Sequence, residues 1–259
     1  MPTPQTELNY IVPNWSAPKN IRAVSTTRIG GYSQSPFNSF NLGIRAGDDV
    51  ATVRRNRDLF KQSLDLAIEP MWLWQVHGNN VVAAAPAEEE PQADASWSRQ
   101  LGQACVVLSA DCLPVLLCDR EGTCVGAAHA GWRGLVGGVI DALVHTMPVS
   151  PDRLMAWLGP CIGPTQFEVG ADVYTAYCDD DLSNRACFAP GLTAEKWVAD
   201  LQGLARLRLK RLGVAQIDSE ARCTVSDAEN FFSYRREGAT SGRMATLIWR
   251  CGDAELNKS

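Results

Sequence analysis

Histidine is scarce, with three in 259 residues: His77, His129 and His145. Any chemistry that needs imidazole must draw on those positions. The chain also lacks a basic excess. Its 24 Lys and Arg against 29 Asp and Glu leave a formal charge of -5, which argues against a nucleic-acid binder with a basic face but leaves room for a local basic pocket. No apolar run approaches the roughly 18 residues of a membrane span, so no membrane partner is expected. The opening MPTPQTELNYIVPNW has no basic segment followed by an apolar one, and no signal peptide is expected. The nine cysteines contain no CxxC pair and are odd in number. They fit reduced thiols in a cytoplasmic protein better than a disulfide framework or a four-cysteine structural zinc site.

What is present supports a packed protein. Hydrophobic residues make up 46% and charged residues 20%, enough apolar surface for a sizeable core. Residues 1–19, with Pro2, Pro4, Pro13 and Pro18, predict an extended, partly mobile lead-in. Strands are predicted at 21–27, 154–158, 214–217 and 245–249. A hairpin is predicted from 71–76 and 81–84 around the turn His77-Gly78-Asn79-Asn80. Helices are predicted at 50–66 (capped by Asp48 or Asp49), 135–147, 171–177 and 193–212 (capped by Thr193). The acidic segment 87–97 predicts a solvated loop, with Asp94 and Ser96 the residues to watch. No repeat or dividing linker occurs, so a single catalytic domain over 1–259 is expected. Strands and helices mix without a βαβ rhythm, which predicts an α+β fold.

The organising stretch runs from Leu108 to Gly134. Apolar runs at 104–109, 114–118 and 124–128 are broken by Asp111-Cys112 and by the run His129-Ala-Gly-Trp132-Arg133-Gly134. A Cys and a His at strand ends can share a cleft, and His77 ends a third apolar run beside a glycine. Alone, each residue is more economically a core or turn residue. Together, His77, Cys112 and His129 supply two imidazoles and a thiolate, three ligands with a fourth position open, which suits catalytic zinc. Asp111 is a candidate to orient a ligand, to transfer a proton or simply to cap the turn, and Pro114 is the expected cause of a bend there. A metal-free reading uses Cys112 as nucleophile with His129 as base, and both readings stay open. Arg133, Arg45 and Arg28 lie in polar, glycine-rich contexts and are candidate contacts for an anion such as phosphate, as Arg235 and Arg236 are more weakly. Phe231, Phe232, Tyr234 and Trp132 offer faces for a base, or else fill the core.

The segments TTRIGGYSQSPFNSFNLG, WQVHG, ADCLPV, HAGWRG, GPCIGPTQFEVG and FFSYRREGATSGRMATLIW, in this order, resemble the laccase-like polyphenol oxidase family of purine nucleoside phosphorylases, also called peptidoglycan editing factors. The resemblance spans about residues 21–249. It implies a mixed α/β sandwich with mixed sheets flanked by helices, similar to that of a cysteine-dependent deamidase toxin. It also implies metal ligation by the His of QVHG, the Cys of ADC and the His of HAGWRG, here His77, Cys112 and His129. The implied activities are phosphorolysis of adenosine, inosine, guanosine or methylthioadenosine and deamination of adenosine, with purine nucleosides and phosphate as partners. A cysteine hydrolase that edits a cell-wall precursor is the alternative. One departure is Gln166-Phe167, where many members have Cys-Tyr. Three histidines cannot furnish a multi-copper laccase centre, so copper, if bound, would share the zinc site.

Overall fold

The computed structural model describes residues 7–179 and 181–252. In chain order its strands are β1 (Tyr10–Ile11), β2 (Ile21–Thr26), β3 (Val81–Ala83), β4 (Ala95–Ser98), β5 (Cys105–Ser109), β6 (Leu113–Asp119), β7 (Val125–Ala130), β8 (Leu154–Leu158), β9 (Glu168–Gly170), β10 (Phe188–Pro190), β11 (Lys196–Ala199), β12 (Gln216–Ser219) and β13 (Met244–Arg250). The helices are α1 (Val50–Ser63), α2 (Trp132–Val136), α3 (Val139–Thr146), α4 (Ala171–Cys178), α5 (Leu201–Arg211) and α6 (Tyr234–Glu237). A six-stranded mixed sheet has the order β12-β8-β6-β7-β4-β3, and an antiparallel one the order β1-β2-β13-β5. A small sheet, β10-β11-β9, stands apart. The fold is the expected α+β arrangement of mixed sheets and helices.

Side-chain alternation stacks the layers. Along β13, Met244 and Ile248 face a core shared with Leu116, Cys118, Met155 and Trp157 of the larger sheet, so the two sheets pack face to face. Ala245, Leu247 and Trp249 point the other way, onto Phe60 of α1 and Phe40. Leu113, Val115 and Leu117 of β6 face Ile140 and Leu143 of α3 and Leu204 of α5. Both sheets are thus covered on both faces, which explains why their strands read as apolar runs without alternation.

Several expectations are corrected. Pro2 and Pro4 lie outside the described residues, but from Tyr10 the lead-in is pinned as a strand on β2, and Ile11 is buried. The 71–84 hairpin does not form. Residues 71–76 make isolated bridges at Met71 and Trp74, and β3 pairs in parallel with β4. The 50–66 helix ends at Ser63, with Asp65 at a φ of 50° beyond it; Asp49 caps it by accepting from Thr52 N. The 135–147 helix starts early and breaks at Gly137-Gly138, where Gly138 has a φ of 85°. The 193–212 helix gives way to β11 and begins at Leu201, because Asp200 is the cap and accepts from Gly203 N. Pro114 makes no bend. It sits inside β6, opposite His129, and the turn is made at Asp111, whose φ is 89°.

Candidate metal and active site

The site forms where the chain crosses between sheets. β5 belongs to the antiparallel sheet and β6 to the mixed one, and Ala110-Asp111-Cys112 is the crossing. The β6–β7 register pairs Leu113 with Ala130 and Pro114 with His129, so Cys112 and His129 emerge at one end of that hairpin. β4 pairs Ala95 with Ala128, which carries Asp94 to a position beside His129. Asp94 O then accepts from His129 N at 2.7 Å, and His129 Nδ1 hydrogen-bonds Asp94 Oδ1 at 2.9 Å. The same carboxylate accepts from the backbone N–H groups of Val76 (3.1 Å), His77 (2.9 Å) and Gly78 (2.7 Å). Those three bonds wrap the WQVHG segment around Asp94 and hold His77 at a φ of 60°. Gln75 ties the segment to β5: its side-chain amide donates to Leu108 O at 2.8 Å and accepts from Leu108 N at 2.7 Å.

The result is a compact donor set. One ligand atom each from His77, Cys112 and His129 lies within 4.8 Å of the others. Cys112 Sγ is 3.7 Å from His77 Nε2, the separation of two tetrahedral ligands each about 2.0–2.3 Å from a zinc ion. The imidazoles meet edge to face, with centroids 4.8 Å apart. A Cβ on Gly131 would stand 2.7 Å from Cys112 Sγ and 3.0 Å from His77 Cδ2, so the first glycine of HAGWRG makes space for the cluster. With Asp94 taking the Nδ1 proton of His129, Nε2 is left for a metal, a common device for orienting a ligating histidine. The residues present therefore fit a three-ligand ion with one side open.

With no ion bound the electrostatics favour a thiolate beside an imidazolium, and a metal would take the place of the imidazolium's Nε2 proton. Burial opposes a charged thiol at Cys112, yet His129 and His77 outweigh it and bring the thiol down to about 6. Burial likewise opposes a charged imidazole at His129, but Cys112 and Asp94 raise it to about 9. Asp94 has no exposure, which pushes its carboxyl up, and His129 with the N–H groups of Gly78 and Val76 more than reverses that. The charged forms of all three are mutually stabilised.

A cavity of about 670 Å³ opens above the cluster. Arg45 and Arg133 line it, as do Trp74, Trp132 and Tyr234. Arg133 stacks over Trp132 at 4.4 Å. Arg45 stacks over Trp74 at 5.1 Å and pairs with Glu90, which also pairs with Arg57. Helix α2, which Trp132 and Arg133 open, spans five residues, too short to make an anion site of its own N-terminus.

Other candidates go elsewhere. Arg28 is absent from the cavity wall. It pairs with Glu237 at 2.7 Å, donates to the carbonyls of Asn38, Ala228 and Phe231, and lies over Phe232. Asp111 is not free to shuttle a proton: Oδ1 accepts from Thr224 Oγ1 at 2.6 Å, and Oδ2 accepts from Ser233 Oγ at 2.9 Å and Arg235 N at 2.7 Å. Arg236 donates to Thr224 O and Val225 O. Phe231 and Phe232 are fully buried core residues, whereas Tyr234 is exposed at the cavity. His145 is exposed on α3. The sequence reading missed the depth of Asp94's involvement and the pairing of Glu90 with two arginines. The segment 87–97, expected as a solvated loop, turns inward at Ala93, which is fully buried with Asp94, Ala95 and Ser96, and the one signal for Asp94 was its place at that end of the acidic run.

The family model described as multi-copper polyphenol oxidoreductase laccase matches residues 22–251. The chain belongs to that family. Its relatives include proteins of Pseudomonas aeruginosa, named purine nucleoside phosphorylase, and of Escherichia coli K12, named purine nucleoside phosphorylase YfiH. Each is 47% identical over 240 residues, covering 93% and 92% of this chain and 98% of the relative. The crystal structure of a Neisseria meningitidis protein is similar at a TM-score of 0.90 with 48% identity, covering 94% of this chain and all of that one. The family's multi-copper description exceeds what this site offers, since His77 and His129 are the two histidines near it.

Proposed function

We propose that this family member is a purine nucleoside phosphorylase working in the cavity above His77, Cys112 and His129, and that these three side chains hold a zinc ion. The observation that carries the reading is the convergence of two imidazoles and a thiol within 4.8 Å at a cavity of about 670 Å³, in a chain whose relatives are named for that activity. A bound zinc ion supplies Lewis acidity at its open position; copper would use the same three ligands. The chain's own residues do the rest. Asp94 orients His129 and His77. Trp74 and Tyr234, 45% and 55% exposed, offer aromatic faces to a purine. Arg133 and Arg45 are the contacts we assign to the sugar or the phosphate. In phosphorolysis a phosphate oxygen bonds to the anomeric carbon while the bond to the purine nitrogen breaks. The base leaves with the electron pair and takes up a proton, giving free purine and ribose 1-phosphate. Deamination of adenosine in the same cavity is the secondary activity we assign.

The test is direct. The purified protein with adenosine and phosphate should release adenine and ribose 1-phosphate, and Cys112→Ala should abolish the release. Base release unchanged in Cys112→Ala would sink the site. A second reading, a cysteine hydrolase acting on a cell-wall precursor, draws support from the contact of Cys112 with His77 and His129. It predicts full turnover after rigorous chelation and a trapped acyl-enzyme, where the phosphorylase reading predicts loss of activity and no acyl-enzyme.

A further inference from the structure

Five arginines line the cavity, Arg45, Arg57, Arg133, Arg235 and Arg243, against the carboxylates of Glu90 and Asp111. In a chain with a net charge of -5 this excess is local. Four of the five have their charge balanced or hydrated. Arg45 and Arg57 share Glu90. Arg133 and Arg235 are exposed to water.

Arg243 differs. It is only partly exposed, and among the described residues no carboxylate comes within ion-pairing distance of it. Nη1 donates to the carbonyls of Ser241 (2.5 Å) and Gly242 (3.0 Å). Within the described residues Nε and Nη2 donate to nothing. The residue is also gripped. Its N–H donates to Asn41 Oδ1 at 2.9 Å, and its carbonyl accepts from Leu42 N at 3.1 Å. A Cβ on Gly43 would stand 2.6 Å from its Cγ, so the glycine lets that loop close on the stem. Burial weakens the hold on its proton, against the nearby charges of Cys112 and Asp111. The guanidinium lies 5.9 Å from the centre of the Tyr234 ring and has no carboxylate in direct contact among the described residues, and its Nε–Nη2 edge is the fork that takes two oxygens of one phosphate.

We propose that Arg243 binds the phosphate co-substrate, with its Nε–Nη2 edge as the docking face. This rests on the phosphorylase reading above and refines it. Arg45 and Arg133 then serve the nucleoside, since one is already paired with Glu90 and the other lies in water.

Inorganic phosphate is the probe, and the metal-loaded protein is used throughout. Melting without phosphate first reports whether Arg243→Gln and Arg243→Lys are folded. Phosphate should raise the Tm of the wild type, and Arg243→Gln should lose that rise. In phosphorolysis the KM for phosphate should climb about tenfold or more in Arg243→Gln, as expected for a lost charged hydrogen-bond pair, with the nucleoside KM within about twofold. Arg243→Lys, which keeps the charge but not the fork, should fall between, and it decides the matter if Arg243→Gln does not fold. A phosphate KM and Tm rise unchanged in a folded variant overturns the proposal, as does the absence of any rise in the wild type. An Arg243-dependent rise without base release from adenosine, inosine or guanosine overturns the phosphorylase reading instead and leaves the anion site standing.

Discussion

On one side of Cys112, Asp94 is fully buried and gathers His129 with the three N–H groups of residues 76–78. On the other side, Asp111 is nearly as buried and gathers Thr224, Ser233 and the N–H of Arg235. Asp94 accepts four hydrogen bonds and Asp111 three, and both hold distant segments together. They differ in what their partners do next. His129 offers a second nitrogen to the ligand cluster, so a change at Asp94 reaches the site's chemistry. The partners of Asp111 are two hydroxyls and a backbone amide at the start of α6, so a change there reaches the architecture of the cavity wall. Sequence adjacency to the Cys112 thiol is therefore a poor guide: the carboxylate 18 residues before it holds a histidine of the cluster, and the neighbouring one holds none.

The comparison would break most visibly at the shared thiol. Cys112→Ala removes one of three donors, and we expect metal content after dialysis to fall to near zero, measured by elemental analysis, along with base release. Retained metal would mean that Asp94 is orienting something other than a ligand set. Next in size is Asp94→Asn. Removing a carboxylate behind a ligating histidine costs about 10–100-fold in metal affinity, and chelator competition on folded protein should show at least that, because two of the four donors to Asp94 would face an NH2 group. An unchanged affinity would reduce Asp94 to a turn-holder like Asp111.

Asp111→Asn sharpens the other half. It should lower the denaturant midpoint by the equivalent of about 1–3 kcal/mol, the usual cost of leaving buried donors unmatched, with metal affinity within about twofold of wild type. A fall in metal affinity matching that of Asp94→Asn would erase the distinction.

The legibility of these two regions from sequence was uneven for physical reasons. Buried strands such as β6, β7 and β13 announced themselves as apolar runs, and Cys112 and His129 at their ends followed. Asp94 did not, because its role comes from strand pairing: β4 beside β7 sets it against His129, and no local pattern encodes that register. The same holds for Asp200, whose capping of α5 displaced the expected helix start, and for Gly137-Gly138, which cut one predicted helix into two. Arg28 looked like an anion contact from its glycine-rich setting, but its pairing with Glu237 crosses more than 200 positions of chain.

That pairing yields the smallest effect, on the Asp111 side. Glu237 sits in α6, whose first turn Asp111 anchors, and it pairs with Arg28 and Arg236. Burial pushes its carboxyl up, but Arg236 and Arg28 more than offset this, so it lies below the ordinary value of 4.5. A folded carboxyl with a depressed pKa contributes stability that is present above the unfolded value and lost as pH falls through the folded one. The loss should begin near pH 4.5 and complete below it. Partial solvent screening limits it to about 1 kcal/mol or less. Denaturation curves of Glu237→Gln should therefore lie below wild type at neutral pH and converge on it in acid, with metal content unchanged at neutral pH. Parallel curves, or metal lost in step with stability at neutral pH, would show that the Asp111 side reaches the ligands after all.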